Sequence, residues 1–329
     1  MIDIGVNFAG RTYNREKIRG LLEVFKRSGG ESIISISNSV REIGANQRLA
    51  EYSIPTPSNP NGFACPVYYT AGCHPHGAKD MKLADYDKIR ACLSTPNNAV
   101  FTGRAVGTKS YCVAVGEMGL DYNRMFSPKE VQMDVFRRQV RIAKEYNCPM
   151  YLHVRDAFDD FINIIREEEY SFGVVHCFTG TLQQAEMLIN YGFKLGITGW
   201  LLDARRNADL LQVVGSSTVP LECLMVETDA PYMSMAKLKK QRLKEESNSN
   251  SNSNSSLSLS SSSSSSSSAS ASVITNTDPV NPKTKSKISH ESEPADIVYV
   301  IEEIARLKNI PLDQCTASIL STTKELFRL

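Results

Sequence analysis

Apolar positions along the chain follow two alternating rhythms. Short β-branched and aliphatic runs recur at Ile2–Asn7, Ser32–Ser37, Val67–Cys73, Tyr111–Glu117, Pro149–His153, Gly173–His176, Phe193–Thr198 and Cys223–Glu227. Each has the length and residue types of a buried strand. Between them, apolar residues return every three to four positions over 14–28, 40–52, 82–93, 128–147, 158–169, 181–191 and 204–214, then again over 295–308 and 312–327. That spacing predicts amphipathic helices. Pro128 suits a first helical turn, with Ser127 before it as N-cap. Strand–helix units in series imply a parallel sheet with right-handed crossovers, and eight of them favour closure into a (β/α)₈ TIM-type barrel, an α/β fold. No Gly-x-Gly-x-x-Gly follows the first strand, which weighs against a dinucleotide-binding sheet.

One segment breaks the pattern. From Ser247 to Ser272 the chain is nearly all serine, with some Asn, Ala and Leu. Such a stretch cannot bury enough apolar area to offset its ordering entropy, so disorder is expected there. Basic residues flank it: Lys237, Lys239, Lys240, Arg242 and Lys244 before, Lys283, Lys285 and Lys287 after. Residues 236–289 are read as an insertion after the eighth strand, and the rest, about 275 residues, approaches the ~250 typical of one such barrel. The expected organisation is therefore a single barrel over 1–329, interrupted once.

Chemically capable side chains cluster where strands end. The third strand runs into Gly72-Cys-His74-Pro-His76, the fourth into Gly116-Glu117-Met-Gly-Leu-Asp121, the fifth into His153-Val-Arg155-Asp156, the sixth into His176-Cys-Phe-Thr-Gly180 and the eighth into Glu227-Thr-Asp229-Ala-Pro231. All strand C-termini of a parallel barrel open on one face, so these residues converge there. Four of the five histidines belong to the set. Burying that many ionisable groups together is costly unless a cation neutralises them, and mixed imidazole and carboxylate donors suit a divalent metal. Glu117, His153, His176 and Asp229 are the candidate ligands. A lone histidine or glutamate at a strand end is ordinarily structural; it is the joint occurrence that points to metal.

With Asp3-Ile-Gly5-Val-Asn7, Gly196-Ile-Thr-Gly-Trp200 and Tyr232 added, these blocks resemble, in order and over essentially the whole chain outside the insertion, the signature blocks of TatD-family metal-dependent deoxyribonucleases. The resemblance implies a TIM-type barrel, one or two divalent ions (Mg²⁺, Mn²⁺ or Zn²⁺), and hydrolysis of DNA phosphodiesters, typically from the 3′ end. It puts Glu117, His153, His176 and Asp229 on ligand positions, and His74 and His76 beside the scissile phosphate. Asp229 would also take the proton of the attacking water. Two departures stand out. Gly5 and Asn7 occupy positions where many relatives carry His-x-His, and Glu291-Ser-Glu293-Pro294 replaces Arg-Asn-Glu-Pro.

Arg155 at a strand end could grip phosphate bidentately or pair with Asp156. Trp200, the single tryptophan, could stack on an unpaired base or pack locally. Arg205 and Arg206, opening the next helix, lie near the loops that often bind phosphate in such barrels. The basic stretch before the serine tract could meet incoming DNA phosphates.

A net charge of +1 provides no global field for nucleic acid, so any such surface is local. No apolar run reaches membrane-spanning length, and no signal peptide pattern opens the chain. The eight cysteines are scattered without a Cys-x-x-Cys pair and read as buried thiols, consistent with the cytosol or nucleus. A monomer is assumed. Two other readings remain open: an amidohydrolase-type enzyme acting on a small ester, amide or aminoacyl-tRNA, and a metal-free binding protein on the same scaffold.

Overall fold

The first strand, β1 (Ile2–Val6), begins a sheet of eight parallel strands whose spatial order is their order in the chain. In the computed structural model, which describes residues 1–9, 13–55, 60–94, 111–236, 238–241 and 291–329, the others are β2 (Ser32–Ser35), β3 (Val67–Ala71), β4 (Cys112–Asp121), β5 (Met150–Arg155), β6 (Gly173–Val175), β7 (Lys194–Ile197) and β8 (Leu224–Val226). β1 and β8 meet through a parallel bridge between Val6 and Ala230, and Asn7 N–H donates to the Ala230 carbonyl at 2.8 Å. The sheet thus closes into a TIM-type barrel.

Helices α1 (Arg15–Arg27), α2 (Val40–Ser53), α3 (Leu83–Leu93), α4 (Lys129–Glu145), α5 (Phe158–Glu168), α6 (Leu182–Asn190), α7 (Ala208–Gly215), α8 (Ile297–Lys308) and α9 (Leu312–Phe327) are the α-helices among the described residues. α1 buries an apolar stripe of Ile18, Leu22 and Phe25, whereas α2 buries Asn46 and Ser53 beside Ile43 and Ala50. Ile2, Ile4, Ile34, Ile36, Val174 and Met225 form a core cluster that α9 joins through Leu326 and Phe327.

All eight strands lie where the apolar runs predicted them. The main difference is β4, which continues four residues past Glu117 to Asp121 and pairs Gly119 with His153 and Asp121 with Arg155 of β5. Two local expectations are corrected. Pro128, not Ser127, is the N-cap of α4; the Ser127 hydroxyl instead donates to the His76 carbonyl at 3.0 Å and accepts from Lys79 N–H at 3.1 Å. Arg205 and Arg206 precede α7, which starts only at Ala208, because Asp203 first closes a turn onto the Arg206 and Asn207 amides.

The chain divides into a barrel body, Met1–Ser234 with Glu291–Leu329, and a segment Met235–His290. Lys239 and Lys240 of the second are described; Lys237, Arg242, Lys244, the serine tract 247–272 and the basic residues after it lie outside the described residues. No described helix is long and apolar enough to cross a membrane. All eight cysteines are free, six of them buried.

Candidate metal centre

Side chains two residues apart on a strand share a face, and this rule builds the site. Glu117 and Asp121 project from the end of β4, Tyr151, His153 and Arg155 from β5, and His176 follows β6. Glu117 is buried, and its Oε1 receives three imidazoles: His176 Nε2 at 2.8 Å, His153 Nδ1 at 3.1 Å and His74 Nε2 at 3.4 Å. His153 Nδ1 and His176 Nε2 are 3.5 Å apart, aimed at the same point. Glu117, His153 and His176 form one group whose donor atoms could hold a metal ion; His74, Asp121 and His153 form a second, sharing His153.

The hydrogen bonds fix which nitrogen each ring offers. His74 heads a short 3₁₀ turn, Pro75–Asp80, and its Nδ1 accepts from His76 N–H at 3.0 Å. Its proton is thereby placed on Nε2, facing Glu117. Burial pushes this imidazole down to about 3, so it is neutral. His76 is the more open of the pair, and its Nε2 lies 2.9 Å from Asp121 Oδ2. The same Oδ2 faces His153 Nε2 at 3.2 Å, while Oδ1 accepts the Asn123 and Arg124 amides at 3.0 and 2.9 Å. Asp121 thus directs His153 Nδ1 toward Glu117.

His176 has its own buried carboxylate. Glu227 Oε2 lies 3.5 Å from the buried His176 Nδ1, an ion-pair contact on the ring edge opposite the one that faces Glu117. Tyr151 Oη donates to Glu227 Oε2 and Cys177 N–H to Oε1. A Cβ at Gly5 would overlap Glu227 Oε2, and one at Gly196 would crowd Oε1. Here the Glu227 carboxylate and the Tyr151 hydroxyl fill the space above Gly5, so no side chain fits at that position without their moving.

Asp229 adopts a left-handed backbone, φ 52°, and its Oδ1 accepts from Asn7 Nδ2 at 2.8 Å. Burial, reinforced by Glu227 and Glu117 against His176, pushes its carboxyl up to about 7. It lies at the same mouth but in neither donor group. Burial disfavours the charged form of Glu117, yet His176 and His74 outweigh it and hold the carboxyl well below the ordinary range. Burial likewise opposes protonation of His153, but Asp121 and Glu117 raise it. Four acids, Glu117, Asp121, Glu227 and Asp229, thus crowd the mouth beside the four histidines with little solvent to screen them. Such a donor set fits a divalent cation, which would relieve the carboxylate repulsion.

The peripheral candidates separate. Arg155 has no ion pair with Asp156, whose carboxylate accepts from Asn123 Nδ2 at 2.8 Å; Arg155 borders a cavity of about 330 Å³ with Phe158, Phe178 and Gln184. Trp200, in the 3₁₀ turn Gly199–Leu202, is half-buried under the Arg206 guanidinium, 4.8 Å from its ring centroid. Arg205 is exposed and paired with Asp203 through bonds of 2.9 and 2.6 Å. Glu293 caps the turn Pro294–Asp296. Sequence reasoning assigns no role to Asp121, Glu227 or Tyr151; Tyr151 and Glu227 lie two residues from His153 and Asp229, and Asp121 four from Glu117, so an even spacing along a strand or its end was the available signal.

Comparison with known proteins decides the family. The model for TatD related DNase matches residues 2–328. This chain belongs to the TatD-related DNase family. The 3′-5′ ssDNA/RNA exonuclease TatD of Rahnella sp. is 33% identical over 235 residues, covering 71% of this chain and 79% of that protein. The protein of the same name from Escherichia coli K12 is 32% identical over 236 residues, 71% of this chain and 80% of that protein. Among solved structures, the TatD homologue YJJV of Escherichia coli K12 superposes with a TM-score of 0.69 at 22% identity, over 100% of this chain and 98% of that one. A TatD family hydrolase from Entamoeba histolytica gives 0.69 at 22%, over 99% and 97%. As a TatD-family member the chain is a metal-dependent hydrolase, with His, Asp and Glu groups able to bind metal.

Proposed function

We propose that this chain is a divalent-metal-dependent deoxyribonuclease that shortens single-stranded DNA from its 3′ end. The observation that carries the reading is the convergence of His153 Nδ1 and His176 Nε2 on Glu117 Oε1, at 3.1 and 2.8 Å, within a TatD-family barrel. The names of the sequence relatives support the substrate and polarity.

Glu117, His153, His176 and Asp229 are the assigned ligands, and a divalent ion held by them supplies Lewis acidity toward the phosphoryl oxygen and the attacking water. Mg²⁺ is the ion assigned to support turnover in assay, and imidazole with carboxylate donors also suits Mn²⁺ or Zn²⁺. Asp229, beside the ligand cluster at the mouth, is the carboxylate assigned to accept the proton of that water. Asn7 holds the carboxylate through Oδ1. His74 is neutral and turned toward Glu117, so it orients that carboxylate. Contact with the scissile phosphate falls to His76, the more open ring, with Arg155 as the guanidinium that clamps a second phosphate oxygen. Trp200 and Arg206, stacked on one another, and Arg205, paired with Asp203, are the remaining assigned substrate contacts.

The test is digestion of oligodeoxynucleotides labelled at the 3′ or the 5′ end, with Mg²⁺, Mn²⁺, Zn²⁺ or chelator, beside an esterase and amidase panel. Immediate loss of the 3′ label, a 5′-labelled ladder and silence with chelator are expected. Turnover on the panel with intact DNA would overturn the reading.

A further inference from the structure

Beside His76 the β4–α4 loop exposes apolar side chains that the chemistry above does not use. Phe126 is 56% exposed and Met125 51%, values high enough to call for an explanation on a surface next to buried catalytic groups. The Phe126 ring stands edge-on to the His76 ring, centroids 4.8 Å apart at 82°. The loop is anchored at both ends. Asp121 Oδ1 accepts the Asn123 and Arg124 amides, and Ser127 Oγ donates to the His76 carbonyl. Gln132 Nε2 donates to the Ser127 carbonyl at 2.8 Å. Phe126 is therefore held against the ring assigned to the scissile phosphate, and rigid placement lowers the entropy of any contact it makes.

We propose that Phe126, with Met125 beside it, is the stacking platform for the unpaired nucleobase adjoining the scissile phosphate, and that exposed Arg124 meets the next phosphate. The proposal rests on the nucleic-acid reading above and names how that site takes its substrate. Every nucleobase has a π-face, so a phenyl platform binds without sequence preference, and only an unpaired base presents that face. A duplex would have to fray first. A methionine next to the ring adds a polarisable, adaptable surface, and a guanidinium one residue before it supplies the charge that a sugar–phosphate chain needs.

The experiment compares wild type, Phe126→Ala and Phe126→Tyr with Mn²⁺. The substrates are a short single-stranded oligodeoxynucleotide and the same oligonucleotide with abasic residues at its last two 3′ positions. Because the ring is exposed, all three proteins should melt alike. On the natural strand Phe126→Ala should raise KM by about 10-fold, within the range of one lost base–aromatic stack, and Phe126→Tyr should stay near wild type. On the abasic strand the three should converge. An unchanged KM for Phe126→Ala on the natural strand, or an equal loss on both strands, would overturn the platform while leaving the nuclease reading intact. Failure of wild type to bind or cut either strand would overturn both.

Discussion

A single oxygen of Asp121 serves two histidines, His76 at 2.9 Å and His153 at 3.2 Å. Carboxylates that orient ligating imidazoles typically govern metal affinity by 10- to 100-fold when removed. Asp121→Asn is therefore expected to weaken Mn²⁺ binding by roughly that factor, read by calorimetry on folded protein; a variant that melts lower but binds Mn²⁺ as tightly would reduce Asp121 to a structural role. Glu117→Gln should lower turnover by at least about 100-fold, the scale of one lost electrostatic stabiliser, with circular dichroism unchanged. Asp3 gives a pH signature. Its carboxylate accepts from Gly5 N–H, Thr228 N–H and Thr228 Oγ1, yet burial pushes it up to about 8. The folded chain then holds a proton that the unfolded chain releases near pH 4. This contribution to stability is full below about pH 4, declines as pH rises, and is gone above about pH 8. Metal-free wild type should lose more melting temperature between pH 5.5 and 8 than Asp3→Asn does; equal slopes would show that Asp3 is ionised throughout.

At the level of elements, β4 determines the site. Its extension past Glu117 puts Asp121 opposite Arg155 and in reach of both histidines. Short continuous β-branched and apolar runs made the strands legible, because strands of a parallel barrel are buried on both faces. Ligand candidates were legible because strand ends in a parallel barrel share a face. What sequence did not show was the length of β4, since Met118, Gly119 and Leu120 read equally well as loop, and therefore the role of Asp121. Nor did it show that Arg205 is taken by Asp203 two residues away, because a solvated arginine and a phosphate clamp look alike before geometry is known. Away from the site, α9 delivers Phe327, 1% exposed, into the core cluster. Phe327→Ala should cost about 3–5 kcal/mol by urea denaturation while leaving Mn²⁺ affinity of the folded protein unchanged.

For the whole molecule, the barrel body draws its C-terminal helices from beyond the serine tract, which lies outside the described residues. Loop closure depends only weakly on length, and the tract carries neither charge nor aromatic rings. Deletion of Ser247–Ser272 should leave melting temperature and turnover nearly unchanged. Neutralising Lys239, Lys240 and Arg242 together is expected to flatten the salt dependence of DNA binding, each lost contact removing about 0.7 from the log–log slope; an unchanged slope would make these residues ordinary solvated cations.

One cation position, between Glu117, His153 and His176, is decisive. Diffraction from crystals soaked in Mn²⁺, collected where manganese scatters anomalously, locates it without reference to activity. A peak is expected at roughly 2.0–2.2 Å from Glu117, His153 Nδ1 and His176 Nε2, and it should vanish in Glu117→Gln. No peak at those atoms in a fully soaked crystal, or a peak only elsewhere on the barrel, would contradict the assignment.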